Sequence, residues 1–193
     1  MSKATTASVL KSMKNSSIRN YGVPGLTSYL IGGQRHGMVR LFETDMSTLD
    51  RITPHSHRYD FTALVLAGRV ENVKMRRAQS IAEYSSVKAN PYWVSFLEVA
   101  YNEQHQPIPG EYSQIEGYGP VSFFEDASVY RPGDWYSMKH NELHCIRFEK
   151  GTKVLMFESP PIVDRTTILE PFSNGKRVPN FKVEPWMFEG ATT

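Results

Sequence analysis

One cysteine in 193 residues, Cys145, excludes an internal disulfide, and a zinc knuckle built on cysteines is excluded with it. Charge of one sign is equally scarce. The formal net charge is +2 and Lys and Arg never form a run of five or six, so the electrostatic footprint of a nucleic-acid binder is missing. The densest basic spot, Lys74-Met75-Arg76-Arg77, falls late in an expected strand and reads as a solvated face. No stretch approaches the ~20 apolar residues needed to cross a bilayer, and the opening Met-Ser-Lys-Ala-Thr-Thr has none of the apolar character of a signal peptide. These absences set the expectation of a soluble, cytoplasmic protein that engages neither nucleic acid nor membrane. Glycine-rich dinucleotide and P-loop signatures and the Gly-x-Ser-x-Gly elbow are absent too, which removes support for nucleotide folds and α/β-hydrolases.

What is present is an all-β text. Ten Tyr, ten Phe and three Trp are scattered among β-branched residues, with Gly, Pro, Asn and Asp as punctuation. Strands are expected at 27–31, 38–44, 60–67, 69–76, 92–101, 121–130, 134–139, 143–149 and 152–158, paired in sequential antiparallel order. Residues 77–90 read as a loop with a helical turn, and 102–119 as a loop or hairpin excursion. The length suits a single domain of three parts. These are an N-terminal helical segment over 1–25, a β-barrel over 26–161, and an aromatic tail over 162–193 packed on the barrel through Phe172, Phe181, Trp186 and Phe188.

The residues that can carry chemistry are histidines. In an extended chain His55 and His57 point to the same side, so both imidazoles can converge on one transition metal. They stand just ahead of the apolar run Phe61-Thr62-Ala63-Leu64-Val65-Leu66-Ala67. A third ligand must come from a distant strand, and His144, sharing a face with Ile146 and Phe148, is the expected one; His140 is the alternative, or a residue at the mouth. Tyr59, Asp60, Tyr136 and Glu142 are close enough in sequence to orient the ligands. Cys145 should point away from His144 as an inert thiol. The acids Glu158 and Asp164 read as solvated or hairpin-end residues.

Pro54-His-Ser-His-Arg-Tyr-Asp-Phe-Thr-Ala-Leu-Val-Leu-Ala-Gly68 resembles the first motif of the cupin family, and Tyr130-Arg-Pro-Gly-Asp-Trp-Tyr-Ser-Met-Lys-His-Asn-Glu-Leu-His-Cys-Ile-Arg-Phe148 resembles the second. The position of the motif's metal-binding Glu falls on Phe61 or Thr62, with Asp60 out of register, so the pattern is similar to the three-His, cysteine dioxygenase-like branch. The end of the likeness, Glu158-Ser-Pro-Pro161, agrees with that branch. The resemblance implies a cupin (jelly-roll) barrel and an Fe(II) site of His55, His57 and His144, with zinc, nickel or manganese as other occupants, serving a small-molecule dioxygenase. It implies Tyr59, Asp60, Arg58 and Tyr136 as polar lining of the site, with His140 at its mouth. It also places Phe157 near the metal, where the branch has a tyrosine, and leaves Arg40 as the available substitute for a carboxylate-binding Arg, although an outward position on its strand is the plainer expectation. The rival readings are a non-catalytic cupin that holds a small ligand, and a metal-free isomerase using Arg35, Arg40 and Arg58. A homodimer is expected.

Overall fold

The computed structural model describes residues 17–19, 25–34, 37–46, 53–85, 89–101, 107–116, 121–173 and 176–177. Strands dominate: β1 (Ser17–Ile18), β2 (Leu26–Gln34), β3 (Gly37–Thr44), β4 (Phe61–Ala67), β5 (Val70–Arg77), β6 (Asn90–Tyr101), β7 (Pro107–Glu116), β8 (Val121–Tyr130), β9 (Trp135–Met138), β10 (Leu143–Phe148), β11 (Lys153–Glu158), β12 (Thr166–Ser173) and β13 (Lys176–Arg177). One helical turn, α1 (Ile81–Tyr84), interrupts them.

The strands fall into two antiparallel sheets, ordered β1-β2-β3-β11-β4-β9 and β10-β5-β8-β6-β12-β13, with β7 paired to β6. Sequential pairing fails at the centre. β4 pairs with β11 and β9 rather than β5, and β10 pairs with β5 rather than β11. The reason lies in the alternation. Phe61, Ala63 and Val65 of β4, and Val70 of β5, all belong to one core, so the two strands face each other across it and cannot lie side by side. Val154 and Met156 of β11 and Ile146 and Phe148 of β10 complete that core between the sheets.

A second cluster, Val73, Met75, Val94, Val121, Phe123, Cys145 and Leu169, occupies the opposite face of the second sheet. That sheet curls back on itself. His55 bridges both His144 of β10 and Ile168 of β12, so segment 53–57 fills the gap between the two strands.

Two elements depart from expectation. Ser17–Ile18 pairs with β2 as a strand, whereas the helical segment was expected to run to 25; residues 1–16 lie outside the described set. The tail continues as β12 on β6, since Thr166–Pro171 runs in register with Leu97–Tyr92. Phe181, Trp186 and Phe188 lie outside the described residues.

At the end of the barrel away from the histidines, three turns are tied by hydroxyls. Thr152 Oγ1 accepts the Arg69 N–H at 3.1 Å and donates to the Arg69 carbonyl at 3.1 Å, and Thr44 Oγ1 donates to the Glu149 carbonyl at 2.8 Å. Gly68 makes this closure possible. Its φ is +74°, and a Cβ there would lie 2.7 Å from Thr152 Cα. Gly68→Ala should therefore cost at least the roughly 1–2 kcal/mol of a left-handed non-glycine residue; an unchanged urea midpoint would contradict the close approach.

Candidate metal centre

The site begins with an extended segment clipped between two strands. His55 N–H donates to the His144 carbonyl at 2.8 Å and His144 N–H returns the bond at 3.0 Å; Ser56 N–H donates to Thr167 O at 2.9 Å, and Ser56 Oγ accepts from Thr167 N–H at 2.9 Å. With Ser56 turned to β12, the imidazoles of His55 and His57 leave on the same side and meet that of His144. One ligand atom from each of the three lies within 4.8 Å of the others. Ring centroids are 4.8 Å apart for His55 and His57, and 5.0 Å from His144 to each.

Two of the rings have their tautomers fixed. His144 Nδ1 lies 2.6 Å from Asn72 Oδ1, and an amide oxygen only accepts, so Nδ1 carries the proton and Nε2 presents its lone pair. His55 Nδ1 donates in the same way to Thr53 O at 2.8 Å. His57 Nε2 stands 2.8 Å from His144 Nε2, which is a hydrogen bond if one carries a proton and a seat for a shared cation if neither does. Burial lowers the pKa of all three imidazoles, and the neighbouring histidines push His57 and His144 down further. Neutral imidazole is the metal-binding form. The donor set thus fits a borderline transition metal.

A polar chain runs inward from the histidines. Tyr59 packs against His57 with centroids 5.5 Å apart and hydrogen-bonds Glu158, whose carboxylate meets Arg40 Nε at 3.0 Å; Arg40 also donates to Ser28 Oγ at 3.4 Å. Arg40 and Glu158 are only 3% and 6% exposed, so the outward strand position expected for Arg40 and the solvated role expected for Glu158 are both overturned. Each alternates with buried apolar residues, Met38 and Phe42 in β3, Val154 and Met156 in β11. Burial pushes the Glu158 carboxyl up, opposed by the Arg40 guanidinium and the Tyr59 hydroxyl.

Other expected site residues lie elsewhere. Phe157 faces outward, 39% exposed and stacked on Trp135, so it does not stand at the histidines; the pleat that turns Glu158 inward turns Phe157 out. Asp60 accepts from Lys139 Nζ at 2.8 Å and from the backbone and ring N–H groups of His140 at 2.8 and 2.9 Å. The His140 ring is thereby committed to Asp60, while its carbonyl accepts the His57 N–H at 3.2 Å. Arg58 donates to Val163 O at the surface, and Glu142 pairs with Lys74. Tyr136 is buried, edge-on to Phe61, whose ring in turn meets His57 at 4.9 Å. Cys145 turns into the second core, away from the imidazole of His144. Arg35 lies outside the described residues.

Asn72 was not foreseen. It stands opposite Ile146 in the β5–β10 register, so its side chain reaches His144 diagonally on the same face. The available signal was a polar residue in an otherwise buried strand position, but only the register names its partner.

Strands that alternate between two facing sheets, with the His pair ahead of β4 and the third His on β10, form a two-sheet antiparallel β-barrel, the architecture that the sequence's resemblance to the cupin family implies. No protein-family model matches the chain, and no curated protein matches it in sequence. Solved structures do. An RmlC-like cupin from Shewanella frigidimarina is 13% identical over 70% of this chain and 77% of its own, with a TM-score of 0.38. A Sphingomonas hydroquinone 1,2-dioxygenase with 4-hydroxybenzoate bound is 11% identical over 69% and 65%, also at 0.38. The cupin domain of Drosophila melanogaster CENP-C is 12% identical over 82% and 100%, at 0.41.

Two predictions follow from the polar groups. Removing either member of the buried ion pair, by Arg40→Met or Glu158→Leu, should cost about 3–5 kcal/mol, and the double variant should recover part of that loss, since an unpaired buried charge is the costlier state. Additive losses in a denaturation cycle would contradict it. Asp60 titrates with the opposite sense. Lys139 and His140 hold its carboxyl well below the usual aspartate value near 4. Its contribution is complete above that value and fades as the pH falls below it, so Asp60→Asn should destabilise at neutral pH and flatten the acid limb of the stability curve.

Proposed function

We propose that this chain is a metal-dependent cupin enzyme in which His55, His57 and His144 hold a divalent transition metal through Nε2, and that the ion is Fe(II) serving the oxidation of a small molecule by O₂. The convergence of three neutral imidazoles, two with Nδ1 already engaged, carries this reading. Three protein ligands leave coordination positions open, and a bound ion would supply Lewis acidity and a place for substrate and O₂.

The chain's own groups do the rest. Asn72 and the Thr53 carbonyl fix ring orientation, while Phe61 and Tyr59 wall the inner side of the His57 ring. Burial of His144 to 2% exposure keeps bulk water from that ligand. Arg40 is held by Glu158, so recognition of a substrate carboxylate by a free Arg40, as the thiol-oxidising branch suggests, has no support; the substrate class is left at a small molecule.

The test is elemental analysis of the purified chain after reconstitution with Fe(II), zinc, nickel and manganese, followed by oxygen-electrode assays against thiol and metabolite pools. One equivalent of metal is expected, lost in His55→Ala, His57→Ala and His144→Ala. Asn72→Ala should bind ~10–100-fold more weakly, the usual effect of removing an orienting partner. Metal content unchanged in the His variants would overturn the site. Bound metal with no O₂ uptake, together with a small molecule retained through purification, would overturn the enzyme and favour a ligand-binding cupin.

A further inference from the structure

Two of the three imidazoles are turned by a neighbour: Asn72 holds His144 and the Thr53 carbonyl holds His55. The His57 ring has no such partner among the described residues. Its hydrogen-bonding contact is Nε2 to Nε2 of His144, and Tyr59 and Phe61 meet it only as rings. What places His57 is therefore its main chain.

That main chain lies at a corner of the barrel where the ladders of both sheets are interrupted. Segment 53–60 crosses from the second sheet, where His55 bridges β10 and β12, to β4 in the first. Beside it the turn 139–142 crosses the opposite way, from β9 to β10. Pairing between the two chains stops at Phe61↔Met138 and resumes at His55↔His144, which leaves 56–60 and 139–143 to be joined by other bonds. The His57 N–H donates to the His140 carbonyl at 3.2 Å. Asp60 Oδ1 accepts the His140 main-chain N–H at 2.8 Å and its ring Nδ1–H at 2.9 Å, while Lys139 Nζ donates to Oδ2 at 2.8 Å. Both sides of the corner are anchored in turn. The Asp60 N–H donates to Ser159 Oγ at 3.1 Å and the Ser159 N–H to the Asp60 carbonyl at 2.8 Å. Glu142 closes the turn, accepting the Lys139 N–H at 2.7 Å and donating its own N–H to the Lys139 carbonyl at 3.0 Å.

We infer that Asp60 is a positioning residue for His57, acting through the main chain of His140. Its carboxylate fixes His140, and the His140 carbonyl fixes the His57 N–H. That carboxylate bonds none of the three clustered imidazoles, so its effect on a bound ion has to travel this route. The consequence for metal rests on His57 being a ligand, as proposed above; the placement of the ring does not. Charge is not what the route needs. An amide oxygen accepts the two His140 bonds as a carboxylate does, and the Lys139 side chain, 70% exposed, adds only a surface ion pair.

Amide hydrogen exchange of the metal-free full chain, followed by NMR, reads the placement. In Asp60→Ala the His57 N–H should exchange at least ~10-fold faster, while the His55 and His144 N–H groups, bonded to each other's carbonyls, keep the wild-type rate. In Asp60→Asn and Lys139→Met the His57 rate should stay within about threefold of wild type. Titration with Co(II) reads the consequence: Asp60→Ala should bind ~10–100-fold more weakly with an altered visible spectrum, and Asp60→Asn and Lys139→Met as the wild type does. Both Asp60 variants lose the ion pair and stability with it, so the split between them reports positioning and not general loosening. Unaltered His57 exchange in Asp60→Ala overturns the inference, as does an equal rise at His55, His57 and His144, or equal weakening of Co(II) binding in Asp60→Asn and Asp60→Ala. If Co(II) does not bind the wild-type chain, the reading of the histidines as ligands falls, and the exchange pattern alone decides whether Asp60 places His57.

Discussion

Two backbone hydrogen bonds between His55 and His144, at 2.8 and 3.0 Å, hold the extended segment 53–57 against β10, and the arrangement of the site depends on them. They fix the distance between a loop-borne pair of imidazoles and a strand-borne third. Bonds from Ser56 to Thr167 fasten the other edge of the segment to β12. The same contacts close the second sheet around its own apolar cluster, so the gathering of the three histidines and the closure of that sheet are one structural event. A ligand segment held on both edges by strands is positioned more firmly than one in a free loop, which is what a preorganised donor set requires.

Around that clip the interior is divided by polarity. One end is bound by threonine hydroxyls and the tight turn at Gly68; the middle is apolar; the end near the histidines carries Asn72, Tyr59, Glu158 and Arg40. Polar groups buried at that end are paired: Asn72 with His144 and Met138, Glu158 with Arg40 and Tyr59. Such pairing adds little net stability compared with an apolar core, but it fixes which rotamers the site adopts.

Much of the strand map was legible because alternation is a local property. Phe61-Ala63-Val65 and His144-Ile146-Phe148 declare their shared faces in the text, and β4 and β10 fall where the pattern puts them. Glu158 shares its face with Val154 and Met156, but its charge argued for solvent and it was read as a solvated or hairpin-end residue; a buried partner, Arg40, reverses that argument, and no local pattern reveals a partner more than a hundred residues away. β12 escaped notice because its apolar spacing is weak and its burial comes from β6 and segment 53–57.

The sequence by itself determined the central strands β3 to β6 and β8 to β11, the inward sense of His144, and the common side of His55 and His57, since each follows from the two-residue period of an extended chain. Tertiary structure alone decided that β4 and β5 face each other across a core, that Asn72 holds His144, and that Phe157 lies outside while Glu158 lies within reach of Tyr59. Those outcomes rest on register and sheet order. Both are set by pairings between residues far apart in the chain, where a shift of one position exchanges the inner and outer faces of a strand.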